Sequence, residues 1–133
     1  MERAEVRVET GERLVTDVTP YVERFCRGKG DGLVHLLAPH ATAGLALMEL
    51  GSGSEPDLAE LLERLVPHDD RYAHRHGSRG HGADHLVPAI VHPTLVLVVD
   101  AGEVQLGTWQ RIALVDTNRD NPVRQLQLTF LAR

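Results

Sequence analysis

Thr94-Leu95-Val96-Leu97-Val98-Val99 runs into Asp100-Ala101-Gly102-Glu103 and then Val104-Gln105-Leu106. The first stretch is rich in β-branched residues and of strand length, too short for a buried helix. The second has the small and acidic residues of a hairpin turn. A strand, a turn and a returning strand set the class of the fold, because strands joined by short turns pair antiparallel. Downstream, the strand pattern continues through Gly107-Thr108-Trp109-Gln110 and from Arg111 to Asp116, with a bulge expected at Gly107. Thr117 to Pro122 reads as a turn. Val123 to Leu131 then alternates, with Arg124, Leu126, Leu128 and Phe130 on one face.

Upstream, Gly32 to Ala38 and Leu45 to Leu50 are apolar runs of strand length. Ala4, Val6 and Val8 alternate with Glu5, Arg7 and Glu9, a half-buried strand. A turn at Gly11-Glu12 and a strand from Arg13 to Thr19 predict an N-terminal hairpin. Thr19-Pro20 predicts a helix start, running to about Arg27 with Val22 and Phe25 inward. Ser54-Glu55-Pro56-Asp57 predicts a capped helix, with Leu58, Leu61, Leu62 and Leu65 as its apolar stripe and Pro67 as its end. Asp84 to Val91 reads as one short helix. The sum is about seven strands and three short helices in a single domain over 1–133. The class is α+β, with mainly antiparallel, sandwich-like sheets.

Composition narrows the function. The net charge is -5 and aromatics make up 4%, which argues against a basic face or stacking platform for nucleic acid. No apolar run approaches the ~18–20 residues of a membrane span. The alternating charges of the first seven residues do not read as a signal peptide, so a cytoplasmic protein is expected. Cys26, the one cysteine, excludes an internal disulfide and a thiolate zinc cage. Lys29, the one lysine, lies in a glycine-rich turn, and no Gly-Lys-Ser/Thr sequence follows.

The unusual feature is histidine. There are eight, and His68, His74, His76, His81, His85 and His92 crowd into 25 residues. Imidazole is the commonest metal ligand and the proton carrier of neutral pH. If helical, His81 and His85 are one turn apart on one face, the spacing of a two-histidine metal site. In an extended chain, Tyr72, His74 and His76 point the same way. Asp84 is placed to fix a histidine tautomer. Each pattern is also compatible with a solvated loop. Pro39-His40-Ala41-Thr42-Ala43-Gly44 puts a histidine and a threonine at a strand end among small residues. Gly107-Thr108-Trp109-Gln110 with Arg111 reads either as a core tryptophan with polar neighbours or as a pocket wall with donors and a cation for phosphate.

Taken in order, His40-Ala41-Thr42-Ala43-Gly44, Glu49, Pro56-Asp57, Leu65-Val66-Pro67, Tyr72-Ala73-His74, His85-Leu86 and Gly107-Thr108-Trp109-Gln110-Arg111-Ile112 resemble the YjbQ-like family, described as secondary thiamine-phosphate synthases. The resemblance implies a homotrimer with a cleft near a subunit boundary. It implies His40, His74 and His85 as ligands of a divalent metal, Zn²⁺ or Mg²⁺, with His40, Glu49 and His85 catalytic. Thr42, Trp109, Gln110 and Arg111 would bind a phosphate or diphosphate ligand. The implied reaction joins hydroxymethylpyrimidine diphosphate to thiazole phosphate and releases pyrophosphate. A metal-dependent hydrolase, or a non-catalytic trimer that binds a metal or anion, are the alternatives. The chain departs from the family at Ala41, Leu50 and Asp84, and His76 and His81 are extra histidines.

Overall fold

The computed structural model describes residues 1–133. The elements run β1 (Glu2–Glu9), β2 (Val15–Asp17), α1 (Thr19–Cys26), β3 (Gly32–Leu37), β4 (Ala43–Met48), α2 (Ser54–Leu65), α3 (His81–Asp84), α4 (Val87–Ile90), β5 (Thr94–Asp100), β6 (Glu103–Val104), β7 (Arg111–Asp116) and β8 (Val123–Ala132). The strands form a large sheet in the order β1-β8-β3-β5-β6 and a small one in the order β2-β7-β4, and every pairing is antiparallel. The fold is thus α+β, built on antiparallel sheets as the alternating patterns predict.

The small sheet is the middle layer. Ile112 and Leu114 of β7, with Leu45 of β4, face the large sheet and pack with its Val34, Leu36, Leu126 and Leu128. Ala113 and Val115, one residue out of phase, face the other way onto Leu62 of α2. That is why Ile112-Ala113-Leu114-Val115 reads as a continuous apolar run: a strand covered on both faces needs no polar side. Of the α2 leucine stripe only Leu62 is fully buried, and Leu61 and Leu65 remain exposed. Val22 and Cys26 of α1 join the main core. A third cluster, Val66, Ala83 and Val87 with Tyr72, fastens the segment after α2 onto the end of that helix.

Four local expectations change. The N-terminal hairpin does not form. β1 pairs along its whole length with β8, register Glu2↔Phe130 to Glu9↔Val123, whereas β2 pairs with β7 in the other sheet. The Thr10 and Gly11 N–H groups both donate to the Pro122 carbonyl, which fixes the crossing between layers. Gly107-Thr108-Trp109-Gln110 is a turn and not a strand: the Gln110 N–H donates to the Gly107 carbonyl, and its side-chain Oε1 accepts from the Gly107 N–H. The segment from Asp84 to Val91 splits into the end of α3 and a separate α4. Ser54 does not cap α2: Gly53 takes the position before the helix at φ 98°, no side chain caps it, and the Glu55 carboxylate accepts the Gly51 N–H.

Candidate metal centre

The segment from His68 to Gly80 has no regular structure, so side chains and tight turns must hold it. The Tyr72 hydroxyl donates to the Pro67 carbonyl at 2.7 Å, and the Arg75 guanidinium donates to the carbonyls of Asp70 and Tyr72. Gly82 makes the docking of α3 possible. A Cβ there would lie 2.6 Å from the His74 carbonyl oxygen and 2.9 Å from the Tyr72 Cβ, so only glycine lets the two segments touch. The contact brings the histidines of both segments together.

His74, His76 and His85 each present a ring nitrogen, and the three nitrogens lie within 4.8 Å of one another. His81 completes a group of four rings, with its centroid 4.6 Å from that of His85 and 4.9 Å from that of His76. His74 and His76 are exposed, His85 is half-buried and His81 is buried. Burial first, and then the neighbouring His81, His74 and His76, push His85 below the ordinary imidazole range. A neutral imidazole is the ligating form. A cleft of about 180 Å³ opens beside the rings of His74, His76 and His81.

Asp84 stands behind the cluster, 4% exposed. Its Oδ2 accepts from His81 Nδ1 at 3.1 Å. Its Oδ1 accepts from His68 Nε2 and from the Thr117 hydroxyl, each at 2.6 Å. A carboxylate only accepts, so both histidines donate here. His68 also reaches the Glu63 carboxylate through Nδ1 at 3.3 Å. Burial works against charge on His68, but the hydrogen bonds to Asp84 and Glu63 outweigh it and raise its pKa. On the far side of Asp84 lies a polar cavity of about 320 Å³, lined among others by Ser78, Arg79, Asn118 and Arg119.

Within one chain, the residues singled out by resemblance fall into three places. His74 and His85 are in the cluster. His40 is not: it follows β3, and its Nε2 accepts the Gln125 N–H of β8 at 2.8 Å, so this lone pair is already used. Thr42 is buried one residue before β4. Glu49, Trp109, Gln110 and Arg111 gather at the opposite end of the small sheet. The register sets Ala43 against Asp116 and Met48 against Arg111, so Arg111 lies about 20 Å along the strand from Thr117, the partner of Asp84. Trp109 is 72% exposed, which rules out the core reading. Gln110 closes its own turn, and Arg111 Nε is paired with Asp17 Oδ2 at 2.9 Å. Within the chain His76 joins His74 and His85, with His81 at its side, while His40 stands apart. The spacing of His74 with His76 and of His81 with His85 already signalled both pairs.

The description UPF0047 protein YjbQ-like fits residues 4–133 of the chain. Among individual proteins, UPF0047 protein Rv2556c of Mycobacterium tuberculosis (strain H37Rv) is 52% identical over 124 residues, which are 93% of each chain. The UPF0047 protein of Archaeoglobus fulgidus is 36% identical over 114 residues, 84% of this chain and 88% of that one. The crystal structure of a hypothetical protein from Aeropyrum pernix K1 superposes with a TM-score of 0.90 at 31% identity over the whole of both chains. A YbjQ-like protein of unknown function from Sulfolobus solfataricus P2 gives the same TM-score at 21% identity, covering 99% of this chain and 97% of that one, a likeness of fold alone. The antiparallel two-sheet fold, these relatives and the near-complete match agree, and the chain belongs to the YjbQ/UPF0047 family.

Proposed function

We propose that this chain is a metal-dependent enzyme acting on a small phosphate or diphosphate compound, with a divalent transition ion held by the histidine cluster. The observation that carries the reading is the three imidazole nitrogens of His74, His76 and His85 within 4.8 Å. An all-imidazole donor set suits Zn²⁺, Ni²⁺, Cu²⁺ or Fe²⁺, whereas Mg²⁺ takes carboxylate and water oxygens. Zn²⁺ is therefore the fitting choice of the two ions that the resemblance implies. When bound, such an ion supplies Lewis acidity to a phosphoryl oxygen and lowers the pKa of water beside it.

The chain's own residues do the rest. His74 and His76 are exposed, so a ligand reaches the cluster from solvent. Arg119 and Arg79, the latter paired with Asp70 at 3.4 Å, line the neighbouring cavity beside Glu63, Asp84 and Asp120 and supply its guanidinium donors for phosphate oxygens. Glu49, Trp109, Gln110 and Arg111 are too distant to serve the cluster of their own chain. Their part in the reading requires a neighbouring copy, and a homotrimer is the assembly we propose. The outer face of the large sheet favours such packing: Leu33, Val96, Val98 and Leu131 are all exposed, and the register sets Leu33 beside both Val98 and Leu131.

Within this class, the specific reaction to test is thiamine-phosphate synthesis. A ring nitrogen of the thiazole phosphate attacks the pyrimidine methylene carbon, a C–N bond forms, the C–O bond breaks, and pyrophosphate leaves with its electron pair. The purified chain is loaded with Zn²⁺, its metal content and molar mass are measured, and pyrophosphate release is followed with both substrates present. One zinc per chain and metal-dependent turnover are expected. Turnover of simple phosphate esters without synthesis selects the hydrolase. Absence of stoichiometric zinc overturns the reading.

A further inference from the structure

His81 is the buried member of the histidine cluster, and Asp84 leaves it only one way to act. Its Nδ1 proton is committed to Asp84 Oδ2 at 3.1 Å, so in the neutral ring Nε2 carries a lone pair. That lone pair faces His85 Nε2 at 2.9 Å. Two imidazole nitrogens at this separation need a proton or a cation between them. For metal–nitrogen bonds of about 2.0–2.1 Å, neighbouring ligands at right angles stand about 2.9 Å apart. The observed separation therefore suits His81 and His85 as two ligands of one ion; the mutual 4.8 Å set is His74, His76 and His85, so His81 joins it by a shift of its ring towards His74.

Asp84 in turn cannot swing away. Besides His81 it holds His68 Nε2 and the Thr117 hydroxyl, both at 2.6 Å, and it is 4% exposed. These three donors come from the segment after α2, from α3 itself and from the residue after β7. The carboxylate is thus fixed by three parts of the chain, and it fixes the imidazole. His76 flanks His81 at 4.9 Å between centroids, and His74 flanks His76 and His85 at 4.2 and 4.5 Å.

We infer that His81 is a fourth metal ligand, that the centre is a four-imidazole site for a late first-row transition ion, and that Asp84 is its positioning residue through the His81 Nδ1–H. This rests on the metal reading proposed above and extends it to two residues outside the three-histidine set. Four neutral imidazoles leave a tetrahedral ion no open position and an octahedral ion two. Substrate access then calls for an ion that accepts five or six ligands, such as Co²⁺, Ni²⁺ or a zinc that expands its shell.

The test is Co²⁺ titration of the full chain, read by calorimetry and by the visible d–d spectrum. The wild type is expected to bind one Co²⁺. His81→Ala is expected to lower the affinity at least 30-fold and to change the band shape, because one nitrogen is replaced. Asp84→Asn is expected to weaken binding 10- to 100-fold while keeping the band shape, because the four nitrogens remain. Thr117→Val, which loosens Asp84 without touching a ring, is expected to weaken binding several-fold and serves where either variant fails to fold. A wild type that binds no Co²⁺ overturns both this inference and the function proposed above. A wild type that binds, beside a folded His81→Ala with unchanged affinity and spectrum, overturns the fourth ligand alone. A folded Asp84→Asn that melts earlier but binds unchanged shows a structural carboxylate and overturns the positioning role.

Discussion

Removal of the Arg124 guanidinium tests how the end of the molecule that carries the histidine cluster is held. Arg124 and Asp116 are 2% and 3% exposed and joined Nε to Oδ2. Arg124 also donates to the carbonyls of Asn118 at 3.2 Å and Val123 at 3.1 Å, and Asp116 Oδ1 accepts the Asn118 N–H at 2.9 Å. The pair therefore ties β7 to β8 across the two sheets and clips the turn that begins at Thr117. Arg124→Met keeps much of the volume and deletes the charge, leaving a buried carboxylate without its counter-ion. Breaking a buried pair in this way costs about 3–5 kcal/mol. For a chain of this length that is a fall in Tm of roughly 10–20 °C. The assay is urea and thermal unfolding by circular dichroism at pH 7, at one protein concentration and with metal chelated, so that ligand linkage does not intrude. Asp116→Leu combined with Arg124→Met is expected to recover most of the loss, since no buried charge remains. A loss below about 1 kcal/mol, or a double variant no more stable than the single, refutes the reasoning.

Three further outcomes follow from the same structure. Trp109→Ala is expected to cost under about 1 kcal/mol in urea, because the ring is 72% exposed, against the ~3–5 kcal/mol of a core tryptophan; a core-sized loss contradicts the exposed turn. Gly82→Ala is expected to cost about 1–3 kcal/mol and to weaken Zn²⁺ binding, because its Cβ collides with the His74 carbonyl; unchanged zinc affinity contradicts that docking. The pH dependence of stability should carry two opposite signs. Burial first and Arg124 second hold His40 below 6.5, so its contribution is full above 6.5 and lost as pH falls towards its folded pKa. His68 is raised by Asp84 and Glu63 against the effect of burial, so its contribution is full below 6.5 and lost as pH rises through its folded pKa. His40→Gln should flatten the acid limb and His68→Gln the alkaline one, read as Tm against pH between 5 and 8.

The local pattern of the chain fixed much of the architecture. Alternation in β1 and β8 gave their buried faces, and Arg111 to Asp116 was legible as a strand, whereas its cover on both faces was not. Spacing also paired His74 with His76 and His81 with His85, because those distances are set by the backbone within a few residues. What spacing does not carry is which distant segments meet. The partner of β1 was settled by β8 and not by the nearer β2, because the two strands belong to different layers. His40 was drawn to the β8 backbone, and Trp109 was left on an exposed turn about 20 Å along β7 from Thr117. The absence of a side chain at Gly82 decided that the two histidine pairs share one site. Local periodicity is written in neighbouring residues, whereas a meeting of segments depends on packing between layers, and only the tertiary structure supplies it.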